Sequence, residues 1–598
     1  MNWDSDREAG VAPAPVAAHI APTGASYMNF ASSDLKFLEK PFAKEPGSES
    51  ISSSEGPSRR KSRVEFNKRE AATAPELFYD LWFVANLTVF SSANPITEES
   101  TLYIFIAYFV LLWTTWFVTS VYIVRFGQDG ILARMGFACH LGSLIGFTLL
   151  GISFGKENLL PTIMRITCIT MAFSRLLLAA QYGVVLFQAR NYSKTRIPVL
   201  ITVLIHFVPG LLYLIIGLTI KPSTPTGLNG YVFIIWCTVA VLELVTVLGQ
   251  SALSETLSFE GTHMRERFNV LTLIVLGEGA SILTKNITVI VEFTYLKNIV
   301  PYWSSALIGT VFCATSILYL CFALYFDWMH QHNHMKRVPQ AIWSFLHLPF
   351  HCVLILLAEG TGQWGIIWRA SEALTEISNT FSNSLQTAAQ SQNISTVANA
   401  LQNTTLTIMN LYGVDSTADQ KVISDAIDKF KTLPSTILEG GMNATEEATF
   451  NNATNTVSFL LERVVYKSFS ISVGKTKTEV AQQVQNTDVR ASVEALARSL
   501  LVLSYLFIAA GLVLIFLMIL HLISKRKGWT IFNIARTSAV VTIGVGLCLV
   551  ALVNTNDTTL DNFTSTPWQL PIIVVCFFTV LVLTHIPTPQ EIMEKFRR

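Results

Sequence analysis

Apolar runs of roughly twenty residues, the length a helix needs to cross a bilayer, recur along this chain between short polar links. They lie near 76–94, 101–124, 133–154, 161–188, 197–220, 230–250, 268–291, 301–326, 341–369, 500–522, 537–553 and 568–586. The pattern predicts an all-α polytopic membrane protein with about twelve transmembrane helices. Residues 1–74 are rich in Ala, Pro, Ser and Gly and read as a disordered cytoplasmic tail. Residues 75–369 form a membrane domain of about nine helices. Residues 370–499 are polar, and stretches such as DQKVISDAIDKFKTLPSTIL place apolar residues at helical spacing, which predicts a partly helical insert outside the membrane. Residues 500–598 return to the bilayer with about three helices and end in a short cytoplasmic tail.

Charge orients these spans. With the N-terminus in the cytoplasm, the short inner loops hold Arg125, Arg134, Arg190, Lys194, Arg196, Arg265, Arg267, Lys336, Arg337, Lys525, Arg526, Lys527 and Arg536. The outer loops hold Lys156, Lys221, Lys285 and Lys297, with Arg165 at a helix edge, an asymmetry of about threefold that follows the positive-inside rule. The C-terminus also falls inside. N-x-S/T sequons at Asn393, Asn403, Asn443, Asn452, Asn556 and Asn562 all fall outside, which predicts glycosylation and a plasma or other secretory-pathway membrane. The basic stretch SRRKSRVEFNKRE before the first span is foremost a topology signal, and it also suits anionic lipids. Ser62 within it is a candidate phosphorylation site that would weaken that attraction.

Composition fits this picture. The chain has 598 residues, 51% of them hydrophobic and 14% charged, against about a quarter charged in soluble proteins. Its net charge of +1, with the cations confined to loops, gives no ground for a nucleic-acid partner. The eight cysteines lie in or beside apolar segments and read as small core residues, with no disulfide framework and no metal-site spacing. No cofactor is expected. The implied partners are the lipid bilayer and a small ion or solute.

Polar residues within the spans carry the chemical information. A charge at the bilayer centre costs about 2.5–3.5 kcal/mol on insertion scales, so such residues face the bundle interior and find partners. The deep candidates are Asp80, Arg175, Glu243, Glu278 and Glu359, with His140, His206, His347 and His351 at similar depth. The acids outnumber the arginine, so some carboxylates are protonated, bind a cation or meet water. Glu278 stands between Gly277 and Gly279 in LIVLGEGASIL, where glycines let another backbone or a ligand come close. A functional role for Glu278 competes with a structural one as partner of Arg175. His347 and His351 are one turn apart, a spacing that suits a metal, but no third ligand follows and hydrogen-bonded histidines are favoured. Pro349 between them frees a backbone carbonyl, and Pro209–Gly210 predicts a kink in the fifth span. At the mouth of the first span, Glu76 and Asp80 share one helix face. Glu76 suits the helix N-terminus as a cap. Asp80, about 6 Å deeper, is predicted to face a polar vestibule open to the cytoplasm.

Several motifs occur in a fixed order: ELFYDLWFVANLT, YIVRFGQDGILARM, FSRLLLAAQY, RERFNVLTLIVLGEG, YFDW and SFLHLP. Together, over about residues 74–360, they resemble the low-temperature-requirement A (LtrA) family of multi-pass membrane proteins. The resemblance implies family motif positions at Glu76, Asp80, Arg125, Arg134, Arg175, Glu266, Arg267, Glu278 and His347. A serine usually follows the glutamate that matches Glu278; here Gly279 stands in its place. The resemblance carries no biochemical activity with it. Glu76-Leu-Phe and Glu266-Arg-Phe each open a span, and His140-Leu and His347-Leu each lie in the second span after that, an echo that fits a six-plus-six duplication.

Two functions fit. A transporter or channel, coupled to protons or cations, would line its path with Asp80, Glu243, Glu278 and Glu359, use Arg175 as counter-charge and draw on His347 and His351. A membrane sensor would use the glycosylated insert as its outer face. No nucleophile, base or metal constellation supports an enzyme.

Overall fold

The computed structural model describes residues 36–42, 66, 71–154, 161–221, 229–292, 304–329, 335–412, 417–439, 441, 443–471, 487–525 and 530–587. Ser62 and the basic stretch around it lie outside the described residues, apart from Phe66. The tail is not disordered throughout: residues 36–42 are docked against the helices.

All named elements are helical. The first six are α1 (Ala74–Ala93), α2 (Glu99–Phe126), α3 (Ile131–Phe154), α4 (Pro161–Gln188), α5 (Ser193–Thr219) and α6 (Asn229–Leu253). Then come α7 (Met264–Val291), α8 (Ser305–Trp328), α9 (Arg337–Ala389), α10 (Ile394–Leu411), α11 (Thr417–Lys431) and α12 (Ala444–Ser468). The last four are α13 (Thr487–Ser524), α14 (Ile531–Val550), α15 (Asp557–Thr564) and α16 (Gln569–His585).

Among the described residues, ten helices are long and apolar enough to cross a membrane, or eleven if the bent pair of α15 and α16 forms one span. The chain is therefore an integral membrane protein. Each of the twelve apolar stretches overlaps a helix, but α1 is not among those that qualify on length and apolarity. Its 20 residues include Glu76 and Asp80, whose partners lie inside the bundle.

The composition boundary near residue 370 is not a structural one. α9 runs unbroken for 53 residues, about 80 Å at 1.5 Å per residue, far more than a hydrocarbon core of roughly 30 Å. The change from apolar to polar residues near residue 370 is not where the helix ends. α13, with 38 residues, packs along α9 and crosses the second composition boundary near residue 499 in the same way. The insert has its own apolar core, which gathers Ile377 of α9 with Leu401, Ile427, Phe430 and Leu460. The membrane core is separate and gathers Trp113, Trp116, Phe268, Trp343 and Leu506.

Two glycine contacts explain local spacing. Pro209 lies inside a continuous α5, so this helix is not broken there. A Cβ on Gly210 would come within 3.0 Å of Leu176, so Gly210 lets α5 press against α4 beside Arg175. A Cβ on Gly279 would lie 2.9 Å from the Ala358 Cβ and 3.1 Å from Leu318. The methyl of Ala358 thus occupies the space that a serine side chain at this position would need. Gly279→Ser is expected to cost about 1–3 kcal/mol through overpacking. Adding Ala358→Gly should return most of that loss in a thermal unfolding series; no recovery would place the strain elsewhere.

Candidate functional site

The first cluster joins α1 to α7. Two acids one turn apart on α1 face two bases spaced the same way at the start of α7. His263 Nε2 lies 3.1 Å from Glu76 Oε2, and Arg267 Nη2 donates to Asp80 Oδ1 at 2.8 Å. Trp116 Nε1 also donates to Asp80 Oδ1, at 2.6 Å, and Arg267 reaches Ser120 Oγ at 3.1 Å. The Thr73 backbone N–H donates to Glu76 Oε2 at 2.9 Å, so this carboxylate caps α1 as well. Glu266 Oε2 accepts from the Ala72 backbone N–H, a further tie between the two helix starts. Further along the same pair of helices, Thr88 Oγ1 donates to Glu278 Oε2. The order of these contacts shows that α1 and α7 run parallel.

Asp80 therefore does not face an open vestibule. Both it and Arg267 are fully buried. Arg267, which the sequence pattern places in an inner loop, lies in the first turn of α7 and reaches inward with its long side chain.

The second cluster lies among α2, α4, α5 and α6. Arg175 Nε donates to Glu243 Oε2 at 2.9 Å, and Arg175 Nη1 donates to Thr115 Oγ1 at 2.8 Å. His206 Nδ1 holds the other Glu243 oxygen at 2.8 Å. The partner of Arg175 is thus Glu243, not Glu278. His140 Nε2 lies 2.8 Å from Gln181 Oε1. Arg125 donates to Ser251 Oγ and the Leu257 carbonyl and stacks over Phe259, tying the end of α2 to the link between α6 and α7. Arg134 makes a two-pronged bond to Asp129 at 2.8 and 2.9 Å near the start of α3.

The third cluster is built around two histidines. Trp113 Nε1 donates to His351 Nδ1 at 3.1 Å, so that nitrogen is an acceptor and the ring proton sits on Nε2. Nε2 lies 2.8 Å from Thr272 Oγ1, whose own proton goes to the Phe268 carbonyl. His347 Nδ1 donates to the Trp343 carbonyl at 2.8 Å, and its Nε2 is 3.2 Å from the Tyr325 hydroxyl. All four imidazole nitrogens are engaged in hydrogen bonds. Among the described residues no group of three or more His, Cys, Asp or Glu is placed to hold a metal.

The fourth cluster contains the two acids left over. Glu278 and Glu359 are 2% and 7% exposed, yet neither has an ion-pair partner within 4.0 Å among the described residues. Glu278 Oε1 has no hydrogen-bond partner. Ser91 stands beside this carboxyl but gives its proton to the Thr88 carbonyl at 3.2 Å. Gln363 Nε2 donates to Glu359 Oε1 at 2.8 Å. The two carboxyls are within electrostatic reach of each other, and Lys285 acts on both from further away. Arg498 of α13 links this cluster to the insert. It donates to the carbonyls of Ser470 and Ile471, at the end of α12, at 2.6 and 2.8 Å, and its Nη2 lies 3.5 Å from Gln363 Oε1.

The charge excess seen in sequence is thereby narrowed. Asp80 is matched by Arg267 and Glu243 by Arg175, which leaves Glu278 and Glu359. The sequence reading missed His263, Arg267 in its buried role, Thr88, Gln363 and Arg498. One signal was present: the four-residue spacing of His263 and Arg267 repeats that of Glu76 and Asp80. Thr88 and Gln363 are neutral and carry no such signal.

A bundle of apolar helices around buried ion pairs, with further acids unpaired in the core, defines a polytopic helical membrane protein with a charged interior. The chain belongs to the family described as bacterial low temperature requirement A protein (LtrA), whose model matches residues 71–377, slightly more than half of the chain. That match ends within α9, beyond the start of the insert. No curated protein and no solved structure matches the chain.

Proposed function

We propose that this LtrA-family protein moves protons, or a solute coupled to protons or cations, across its membrane, with Glu278 as the binding carboxylate and Glu359 as its neighbour. One observation carries the reading: among the described residues Glu278 is a buried acid with a free oxygen and no ion pair, while Glu76, Asp80 and Glu243 each have a base. A carboxylate so placed binds a proton or cation reversibly, because among the described residues no base lies within ion-pair distance of it. Glu243 and Asp80 then serve the bundle as structural charges, with Arg175 and Arg267 as their partners. His347 and His351 line the α7–α9 seam as hydrogen-bonding groups. No catalysis is assigned.

The test is flux in liposomes carrying purified protein, driven by a pH gradient or a cation gradient, with wild type beside Glu278→Gln. The variant should lose the flux while staying folded. Equal flux from both would remove Glu278 from the path.

The proposal includes cytoplasmic N- and C-termini, twelve spans in two related halves, and an outward insert in a secretory-pathway membrane. The parallel contact of α1 and α7 is what first helices of two halves related by an axis along the membrane normal would make. The six sequon asparagines are exposed, Asn393, Asn403, Asn443 and Asn452 on the insert and Asn556 and Asn562 near α15, as attachment of glycans requires.

A second reading, as a sensor, draws on Arg498. It bonds the insert to Gln363, and Gln363 holds Glu359, so a shift of the insert is felt at the acid pair.

A further inference from the structure

The docked part of the N-terminal tail lies over the cytoplasmic ends of α3 and α4. The carbonyls of Lys36 and Phe37 accept from the backbone N–H groups of Ile131 and Leu132, at 3.2 Å each. Those donors sit in the first turn of α3, where a helix offers them no acceptor of its own. Gln188, at the end of α4, donates to the Glu39 carbonyl at 3.3 Å. Pro41 is buried. The Phe42 ring lies 6.0 Å from Phe66 and 5.7 Å from Tyr192, and Phe66 stands edge-on to Phe126 at 4.8 Å.

The segment borders a space rather than filling it. Phe37, Leu38, Glu39 and Pro41 line one side of a half-open pocket of about 270 Å³ that also reaches Cys139 and Gln181. A second cavity of about 90 Å³ shares Gln181 and ends at His140. A tail segment that served only packing would be expected to sit in this half-open pocket rather than along its edge. The hold is also light. Phe37 and Leu38 remain 65% and 43% exposed, and the ties described here are hydrogen bonds and one aromatic side chain. A segment held in this way opens far more readily than a transmembrane helix.

We propose that residues 36–42 are a removable cytoplasmic plug, a piece of the chain's own tail that narrows the way into a pocket leading to Gln181 and His140. The proposal stands apart from the transport reading, because its test is accessibility and not flux.

Cys139 is a built-in reporter. A membrane-impermeant maleimide is applied to the cytoplasmic face of the full-length protein in membranes, and labelling of the Cys139 peptide is followed by mass spectrometry. Phe42→Asp should label at least about tenfold faster than wild type, as expected when a local closure is lost. A synthetic peptide of residues 35–43 added to that variant should slow labelling again. Should Phe42→Asp not fold, removal of residues 1–42 makes the same comparison. Equal rates in wild type and an intact variant, or no slowing by the peptide, would overturn the proposal.

Discussion

Asp80→Asn is expected to lower the stability of the folded protein by about 3–5 kcal/mol, because it leaves the guanidinium of Arg267 buried without a counter-charge. Arg267→Gln should cost a similar amount for the reciprocal reason. Both side chains are fully buried and bonded at 2.8 Å, so neither can recover its hydration by a small movement. The double variant tests the pairing. With both charges gone, most of the penalty for an isolated buried charge is gone too, and its loss should fall well below the sum of the two single losses. Urea or thermal unfolding in detergent, followed by circular dichroism, reads all three. Additive losses would mean that the two residues are not coupled, and the α1–α7 ladder would lose its basis.

The second large effect is a contrast between two glutamates of the core. Glu243→Gln removes the charge that neutralises Arg175 and should destabilise the protein by about 3–5 kcal/mol. Glu278→Gln removes a charge that no base matches. The amide keeps a carbonyl oxygen for Thr88 and relieves the burden of a buried anion, so stability should change by less than about 1 kcal/mol or rise. Flux should show the reverse order, with Glu278→Gln inactive. A large stability loss in Glu278→Gln would assign this residue to the scaffold and withdraw it as the binding carboxylate. Equal, small losses in both would mean that Arg175 finds another partner when Glu243 is gone.

This contrast bears on how buried charge is used in the bundle. The α1–α7 and α4–α6 clusters hold matched charges and fix which helices are neighbours. The leftover acids lie on the α7–α9 seam, next to a route of hydrogen bonds that continues through Gln363 and Arg498 to the insert. α9 contributes to both the seam and the insert core, so a rigid helix connects the two regions. Movement of the insert would therefore reach Glu359 by backbone as well as by side chain.

Helix positions were open to reading in the sequence because lipid imposes them. A stretch without water must satisfy its backbone internally, so each apolar run of span length overlaps a helix. The importance of Glu76, Asp80, Arg175, Glu243, Glu278 and Glu359 was equally legible, since a charge amid apolar neighbours needs a reason to be there. Partner choice was not. Arg175 takes Glu243 rather than Glu278, and Asp80 takes a base 187 residues away that linear position assigns to a loop. Pairing depends on which helices touch and on how far a long side chain reaches, and neither is encoded in the local pattern. The same holds for α9. Its polar second half reads as a separate region because composition reports the surrounding medium, whereas the continuity of the helix is a property of backbone hydrogen bonds. Sequence alone thus determined the class of protein, the helices and the buried acids that matter, but not all of their basic partners. Tertiary structure decided which charges cancel, because cancellation requires contact within about 4 Å, a distance that only packing sets.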